Sequence, residues 1–211
     1  MKNIAFIVNP ISGTKTKNRV TKLIRELLDP QQFSPTVVLT EYAGHATQLA
    51  QQFALEGYYA VVAVGGDGTV NEVASALKHS TTALMIVPTG SGNGLARDLD
   101  MHGLSAKQII ERIENNKIYS IDSGMADEKA FFCTCGTGFD AYIGHLFAQT
   151  KVRGFFTYVK LSLRAYKNYK PLTYQLAYNN HTEKTEAFVI NIANNKQFGN
   201  HAYIAPMANM Q

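Results

Sequence analysis

The feature that most limits what this chain can fold into is a repeated junction, in which a short apolar run breaks into a glycine-rich turn and then into a helical pattern. Residues 3–8 run into Asn9-Pro10-Ile11-Ser12-Gly13. Residues 58–64 run into Gly65-Gly66-Asp67-Gly68-Thr69. Residues 83–87 run into Pro88-Thr89-Gly90-Ser91-Gly92-Asn93. Apolar runs of this length suit strands buried on both faces of a parallel sheet. Residues 36–40 read as another strand. Helical spacing recurs between the runs: Val20, Leu23, Ile24, Leu27 and Leu28, closed by Pro30, then Ala46, Leu49 and Phe53 within a helix over 45–55 that Gly57 ends. Further helices are expected over 70–78, 94–99 and 105–115. Strands alternating with helices of this length imply right-handed crossovers and an α/β fold with a parallel sheet.

In such a sheet all three glycine-rich junctions lie at the carboxyl edge, where ligands bind. Glycine lets the backbone approach a phosphate closely, and each following helix offers unpaired N–H groups and a positive dipole end. Asn, Ser and Thr add side-chain donors. Each junction alone has a plainer explanation: a tight turn, Thr69 as a helix cap, Asp67 as a solvated turn residue. Three together on one edge make a polyphosphate site the stronger reading. No G-x-x-x-x-G-K-[ST] occurs, which excludes a Walker-type site, and no G-x-G-x-x-G follows the first strand, which excludes the dinucleotide fingerprint.

A net charge of +4 suits anionic ligands or surfaces but is too small to argue for nucleic acid. Cys133 and Cys135, two residues apart, cannot readily bridge and read as small core residues of a reducing compartment. The apolar run near Met1 is too short for a signal core, and no stretch reaches the roughly 18 apolar residues of a membrane span. The expectation is a soluble, cytoplasmic protein.

From about residue 118 the pattern changes. Strands are expected over 119–125, 129–135, 173–178, 186–191 and 202–204, with helices over 140–150 and 155–169. A domain boundary is placed near Lys117, giving an α/β domain over 1–117 and a mostly β, sandwich-like domain over 118–211. That second domain reads as incomplete at Gln211, and its open strand edges leave homo-oligomer formation possible.

Gly65-Gly66-Asp67-Gly68-Thr69 running into Val70-Asn71-Glu72-Val73 resembles the signature of the diacylglycerol kinase catalytic family, which includes sphingosine kinases and is related to NAD kinases. Asn9-Pro10 with Ser12-Gly13, Thr40 with Gly44-His45-Ala46, and Pro88 through Arg97 resemble its other nucleotide-domain segments. Ile121-Asp122-Ser123-Gly124, Gly136-Thr137-Gly138-Phe139-Asp140, and Asn194, Gly199, Ala205-Pro206 and Ala208 resemble segments of its second domain. The resemblance implies transfer of the γ-phosphoryl group of ATP, with Mg²⁺, to a hydroxyl of a membrane lipid.

By position, Asn9, Ser12, Gly13, Thr40, Gly65, Gly66, Asp67, Gly68, Thr69, Val70, Asn71, Ser91, Gly92 and Asn93 would surround the nucleotide. Asp67 would sit nearest the transferring phosphate, either orienting Mg²⁺ or acting on the acceptor hydroxyl. Members often carry Asn-Asp-Phe-Ala where this chain has Asn93-Gly94-Leu95-Ala96, and Gly90-Ser91-Gly92-Asn93 is closer to the sphingosine kinase form, which tilts the lipid towards a sphingoid. An acidic residue expected just past Ala208 has no counterpart, which implies that these 211 residues alone transfer no phosphate. An NAD kinase-like enzyme and a non-catalytic nucleotide-binding regulator are the competing readings. Basic and aromatic residues over 151–170, among them Lys160, Arg164 and Lys167, suit either a peripheral contact with an anionic membrane or an ordinary helix with a solvated basic face.

Overall fold

The computed structural model describes residues 1–12, 28–90, 92–115, 117–150, 155–197 and 203–210. The expected helix over 20–28 lies outside these, apart from Leu28. The chain divides into two compact units, Met1–Cys133 with Asn194–Gln211, and Thr134–Ala193.

In the first unit β1 (Lys2–Val8), β2 (Phe33–Leu39), β3 (Ala60–Gly65) and β4 (Ala83–Pro88) form a parallel sheet in the order β2-β1-β3-β4. The chain crosses from β1 to β2 on one side and returns past β1 to β3 on the other, so the strand order reverses between β1 and β3. The central strands are apolar throughout because both their faces are covered. Ala5, Ile7, Val61, Ala63 and Ile86 pack against α1 (His45–Leu55) and α2 (Asp67–Leu77) through Ala50, Phe53, Val70, Val73 and Leu77. On the opposite face Ile4, Phe6, Val8, Val62, Val64 and Met85 pack against Ile109, Ile110 and Ile113 of α4 (Ala106–Glu114). This alternation along β1 and β3 is the two-residue period of a strand dividing its side chains between two layers. A five-residue helix, α3 (Gly94–Asp98), follows β4.

Local signals set the helix ends. Ser105 and Gln108 form a reciprocal capping box at the start of α4, and Gly57, at φ +71°, ends α1. Helix α2 starts at Asp67, three residues before the expected 70–78, so Asp67, Gly68 and Thr69 are its first turn and not a loop.

The expected strand over 119–125 shortens to β5 (Gly124–Ala126), paired with β6 (Lys129–Phe131). Residues before it are held by other means: Asn194 Nδ2 donates to the carbonyls of Asp122 and Phe132, and Asp122 N–H donates to the Met210 carbonyl. These bonds return residues 194–210 to the first unit. The compact units therefore part after Cys133 and again before Asn194. Tyr203 forms a single bridge with Gln197 in place of a strand over 202–204, of which Ala202 lies outside the described residues.

The second unit carries β7 (Thr134–Gly138), α5 (Phe139–Ala148), α6 (Phe155–Tyr166), β8 (Leu172–Tyr178), β9 (His181–Ala187) and β10 (Val189–Ala193). Strands β8 and β9 form a hairpin whose turn residues Asn179 and Asn180 both have positive φ, 45° and 62°, the type I′ geometry that suits asparagine. Strand β9 was not expected, because His181-Thr182-Glu183-Lys184-Thr185-Glu186 carries no apolar face. The expected strand over 186–191 breaks at Phe188: residues before it pair with β8 and residues after it pair with β7. The Phe188 ring sits 4.6 Å from Phe139 and 5.1 Å from Tyr169. The fold class, a parallel α/β sheet followed by a β-rich region, is as the sequence implies.

Phe6 is fully buried in the central strand. Phe6→Ala is expected to destabilise the chain by about 3–5 kcal/mol, read as a lowered urea midpoint. A loss under about 1 kcal/mol would mean that this layer is not the core.

Candidate functional site

The three junctions meet at the carboxyl edge of the sheet, beside the reversal of strand order between β1 and β3. The chain leaves β2, β1 and β4 with one more ladder bond each. Thr40 N–H donates to the Val8 carbonyl at 3.0 Å, Asn9 N–H to Val64 at 2.9 Å, and Thr89 N–H to Gly65 at 2.9 Å. The chain departures are thus held in register, and the residues after them converge.

Asn9 ties the first junction to the second. Its Oδ1 accepts from Ile11 N–H at 3.0 Å, closing a turn, and its Nδ2 donates to Thr69 Oγ1 at 3.1 Å. Ser12 lies in the short 3-10 turn Pro10–Ser12. Gly13 and Ser91 lie outside the described residues.

Asp67 ties the second junction to the third. Its Oδ2 accepts from Asn93 N–H and its Oδ1 from Gly94 N–H, both at 2.9 Å. The exposed Asp67 carboxylate thereby caps α3 from another element, supplying an anion where the helix presents bare donors. Asn93, buried and left-handed at φ 56°, turns the chain into α3 and donates Nδ2 to the Gly90 carbonyl at 2.6 Å. At the other end of α3, Asp98 accepts from Lys196 N–H and Gln197 Nε2, both at 2.8 Å. Two carboxylates therefore fix this short helix, one at each end. Both also bear on Cys133. Burial first, then the charges of Asp67 and Asp98, push its thiol up to about 12, which keeps it protonated and inert.

The glycines sort into two kinds. A Cβ on Gly90 would stand 2.7 Å from Gly66 Cα, and one on Gly92 would stand 2.7 Å from Asp67 Oδ2. A Cβ on Gly65 would run into the Thr69 side chain. These three are small because the junctions pack on one another. Gly68 is different: among the described residues, a Cβ there would meet nothing within 4 Å. It sits exposed in the first turn of α2, which no side chain among the described residues caps. An uncapped helix start on open space at the reversal of a parallel sheet is suited to an anion.

The remaining expected residues divide likewise. Asn71 is exposed on the first turns of α2 and Thr40 is half-buried at the end of β2, whereas the Val70 side chain lies in the core and Thr69 is buried under Asn9. Glu72 accepts from Gly44 N–H at 3.1 Å at the start of α1. The sequence did not single out Asp98, whose part depends on a partner about 100 residues away. Two half-open pockets are lined by residues outside the junctions. One cavity of about 340 Å³ is lined by Asp98, Lys196, Gln197 and Met210, and another of about 340 Å³ in the second unit is lined by Tyr142, Leu161, Arg164 and Tyr169.

Comparison with known proteins divides the chain once, between residues 126 and 133, and groups residues 194–211 with the second part, unlike the compact units. Residues 3–126 match the diacylglycerol kinase catalytic domain. Residues 133–211 match the YegS C-terminal NAD kinase beta sandwich-like domain. YtlR, a candidate lipid kinase of Bacillus subtilis, is 28% identical over 99% of this chain and 74% of its own length. Diacylglycerol kinase of Bacillus subtilis is 28% identical over 65% of this chain, and the match takes in 46% of that enzyme. Two crystal structures of diacylglycerol kinase-type proteins from Bacillus anthracis superpose over the whole chain and on 70% and 69% of theirs. Their TM-scores are 0.78 and 0.72, at 22% and 20% identity, and they share the fold.

Asp67→Asn sets an NH₂ group against one of the two amides whichever way the side chain turns. Hydrogen exchange at Asn93 and Gly94 is expected to rise about tenfold or more while far-ultraviolet circular dichroism is unchanged. Unaltered exchange at both amides would show that the carboxylate does not hold the third junction.

Proposed function

The chain belongs to the diacylglycerol kinase catalytic family, and from that premise we propose that it serves an ATP-dependent lipid kinase which phosphorylates a hydroxyl of a diacylglycerol or sphingoid lipid. The observation that carries this reading is the uncapped start of α2, with Gly68 opening on free space beside Asn9 and the paired glycines Gly66 and Gly90. The β- and γ-phosphates would lie against the amides of residues 66–69, with the helix dipole offsetting their charge.

The transfer moves the γ-phosphoryl group onto the lipid hydroxyl oxygen, breaks its bond to the β-phosphate oxygen, releases the hydroxyl proton and leaves ADP. Little covalent chemistry falls to the protein in such a step, so positioning and charge neutralisation dominate. Asp67 contributes first by holding the Gly90–Gly94 backbone against the start of α2. Each of its oxygens keeps a second lone pair beyond its amide bond, so the same carboxylate could also hold Mg²⁺ together with phosphate oxygens, the mode usual for that ion. Among the described residues no group of three or more His, Cys, Asp or Glu side chains could hold a metal unaided. Mg²⁺ so placed would supply neutralisation of charge on the phosphates.

Peripheral membrane contact forms part of the proposal, at the cytoplasmic face. Among the described residues no helix is long and apolar enough to cross a bilayer. On α6, Phe156, Lys160, Leu163 and Arg164 are exposed at spacings that share one face, with Phe156 88% exposed. Apolar and basic groups together suit an anionic lipid surface.

Three measurements check this reading. Incubation of a full-length protein carrying these residues with [γ-³²P]ATP, Mg²⁺, NAD and mixed micelles of diacylglycerol or sphingosine is expected to label one of the lipids; label in NAD alone would favour the NAD kinase-like alternative. Gly68→Ala is expected to raise stability by up to about 1 kcal/mol, because alanine suits a helix better, and to weaken ATP binding by about tenfold. Equal affinity for both proteins would remove the phosphates from this turn. Reversal of Lys160, Arg164 and Lys167 to Glu, at about 1 kcal/mol per basic residue, is expected to weaken binding to anionic vesicles well over tenfold. Undiminished vesicle binding would leave α6 a solvated helix.

A further inference from the structure

The β2–α1 connection carries an aromatic pair that core packing does not explain. Tyr42 and His45 stack with ring centroids 4.6 Å apart and planes 6° from parallel. Both are held in place. Tyr42 donates its hydroxyl proton to Gln48 Oε1 at 2.8 Å, and His45 Nδ1 accepts from Glu41 N–H at 3.1 Å. His45 N–H donates to the Tyr42 carbonyl. Gly44 between them, at φ 88°, donates its N–H to Glu72 of α2. Yet Tyr42 remains 54% exposed. The result is a flat aromatic surface of fixed orientation, presented to solvent and anchored to the helix whose first turn is the phosphate candidate.

We propose that the Tyr42–His45 stack is the platform for the nucleobase of ATP. This inference rests on the nucleotide reading above and adds the base to it. The sheet order places the β2–α1 connection two strands from the β3–α2 junction, with β1 between them. Two strand spacings are about 10 Å, which matches the reach of a nucleotide from its phosphates to its base. Thr40, held to the Val8 carbonyl, and Asn9 at the end of β1 occupy the interval, where a ribose would pass. A stacked ring gives affinity through its face and accepts any base, so it supplies binding strength and leaves discrimination among bases to other groups. The phenol hydroxyl is engaged with Gln48 and takes no part in the stacking.

The test is calorimetric titration of the wild type, Tyr42→Ala and Tyr42→Phe with ATP and, separately, with inorganic tripolyphosphate. Tyr42→Ala is expected to weaken ATP binding about 5- to 100-fold and to leave tripolyphosphate affinity unchanged, while Tyr42→Phe keeps wild-type affinity for both. ATP affinity unchanged in Tyr42→Ala would overturn the platform while leaving the phosphate site intact. An equal loss for ATP and tripolyphosphate would also overturn it, by showing that the ring only shapes the edge. Failure of the wild type to bind either ligand would overturn the nucleotide reading and this inference with it.

Discussion

The arrangement at the sheet edge depends on one carboxylate. Asp67 accepts from two consecutive amides, Asn93 and Gly94, and so joins the start of α2 to the start of α3. Without an anion there, the Asn93 and Gly94 amides at the start of α3 would lose their acceptor. The glycines of both junctions follow from this bond. Closing it brings Gly90 against Gly66 and Gly92 against the carboxylate itself, leaving no room for a Cβ.

The same helix transmits the arrangement further along the chain. Asp98 binds the backbone and side chain of Lys196 and Gln197, Asn194 binds the carbonyls of Asp122 and Phe132, and Asp122 binds Met210. A segment nearly 100 residues after α3 therefore completes the first unit. Asn194, Lys196 and Gln197 hold it by long-range hydrogen bonds, and Met210 joins the buried apolar cluster of the same unit.

Much of the first unit was legible because its signals are local or periodic. Continuous apolar runs fixed β1, β3 and β4, three- and four-residue spacing fixed α1, and glycine and serine punctuated the helix ends. The start of α2 was misplaced because glycines at 66 and 68 look like loop to a propensity argument, whereas here they begin a helix. Asp67 was singled out for a role beside the phosphate, whereas its two amide partners could not be read from sequence, since both lie across the fold. In the second unit β9 escaped notice because it has no apolar face, and the hydrogen bonds by which Asn194, Lys196 and Gln197 join the first unit leave no periodic trace.

The central claim is that phosphate binds at the first turn of α2. Amide chemical-shift mapping on isotopically labelled protein titrated with ATP and Mg²⁺ tests it most directly. The account predicts that the largest shifts fall on Gly66, Asp67, Gly68 and Thr69, with smaller ones at Asn9 and Gly92. Saturable binding whose shifts bypass these amides, or no shifts at millimolar ATP, would contradict it.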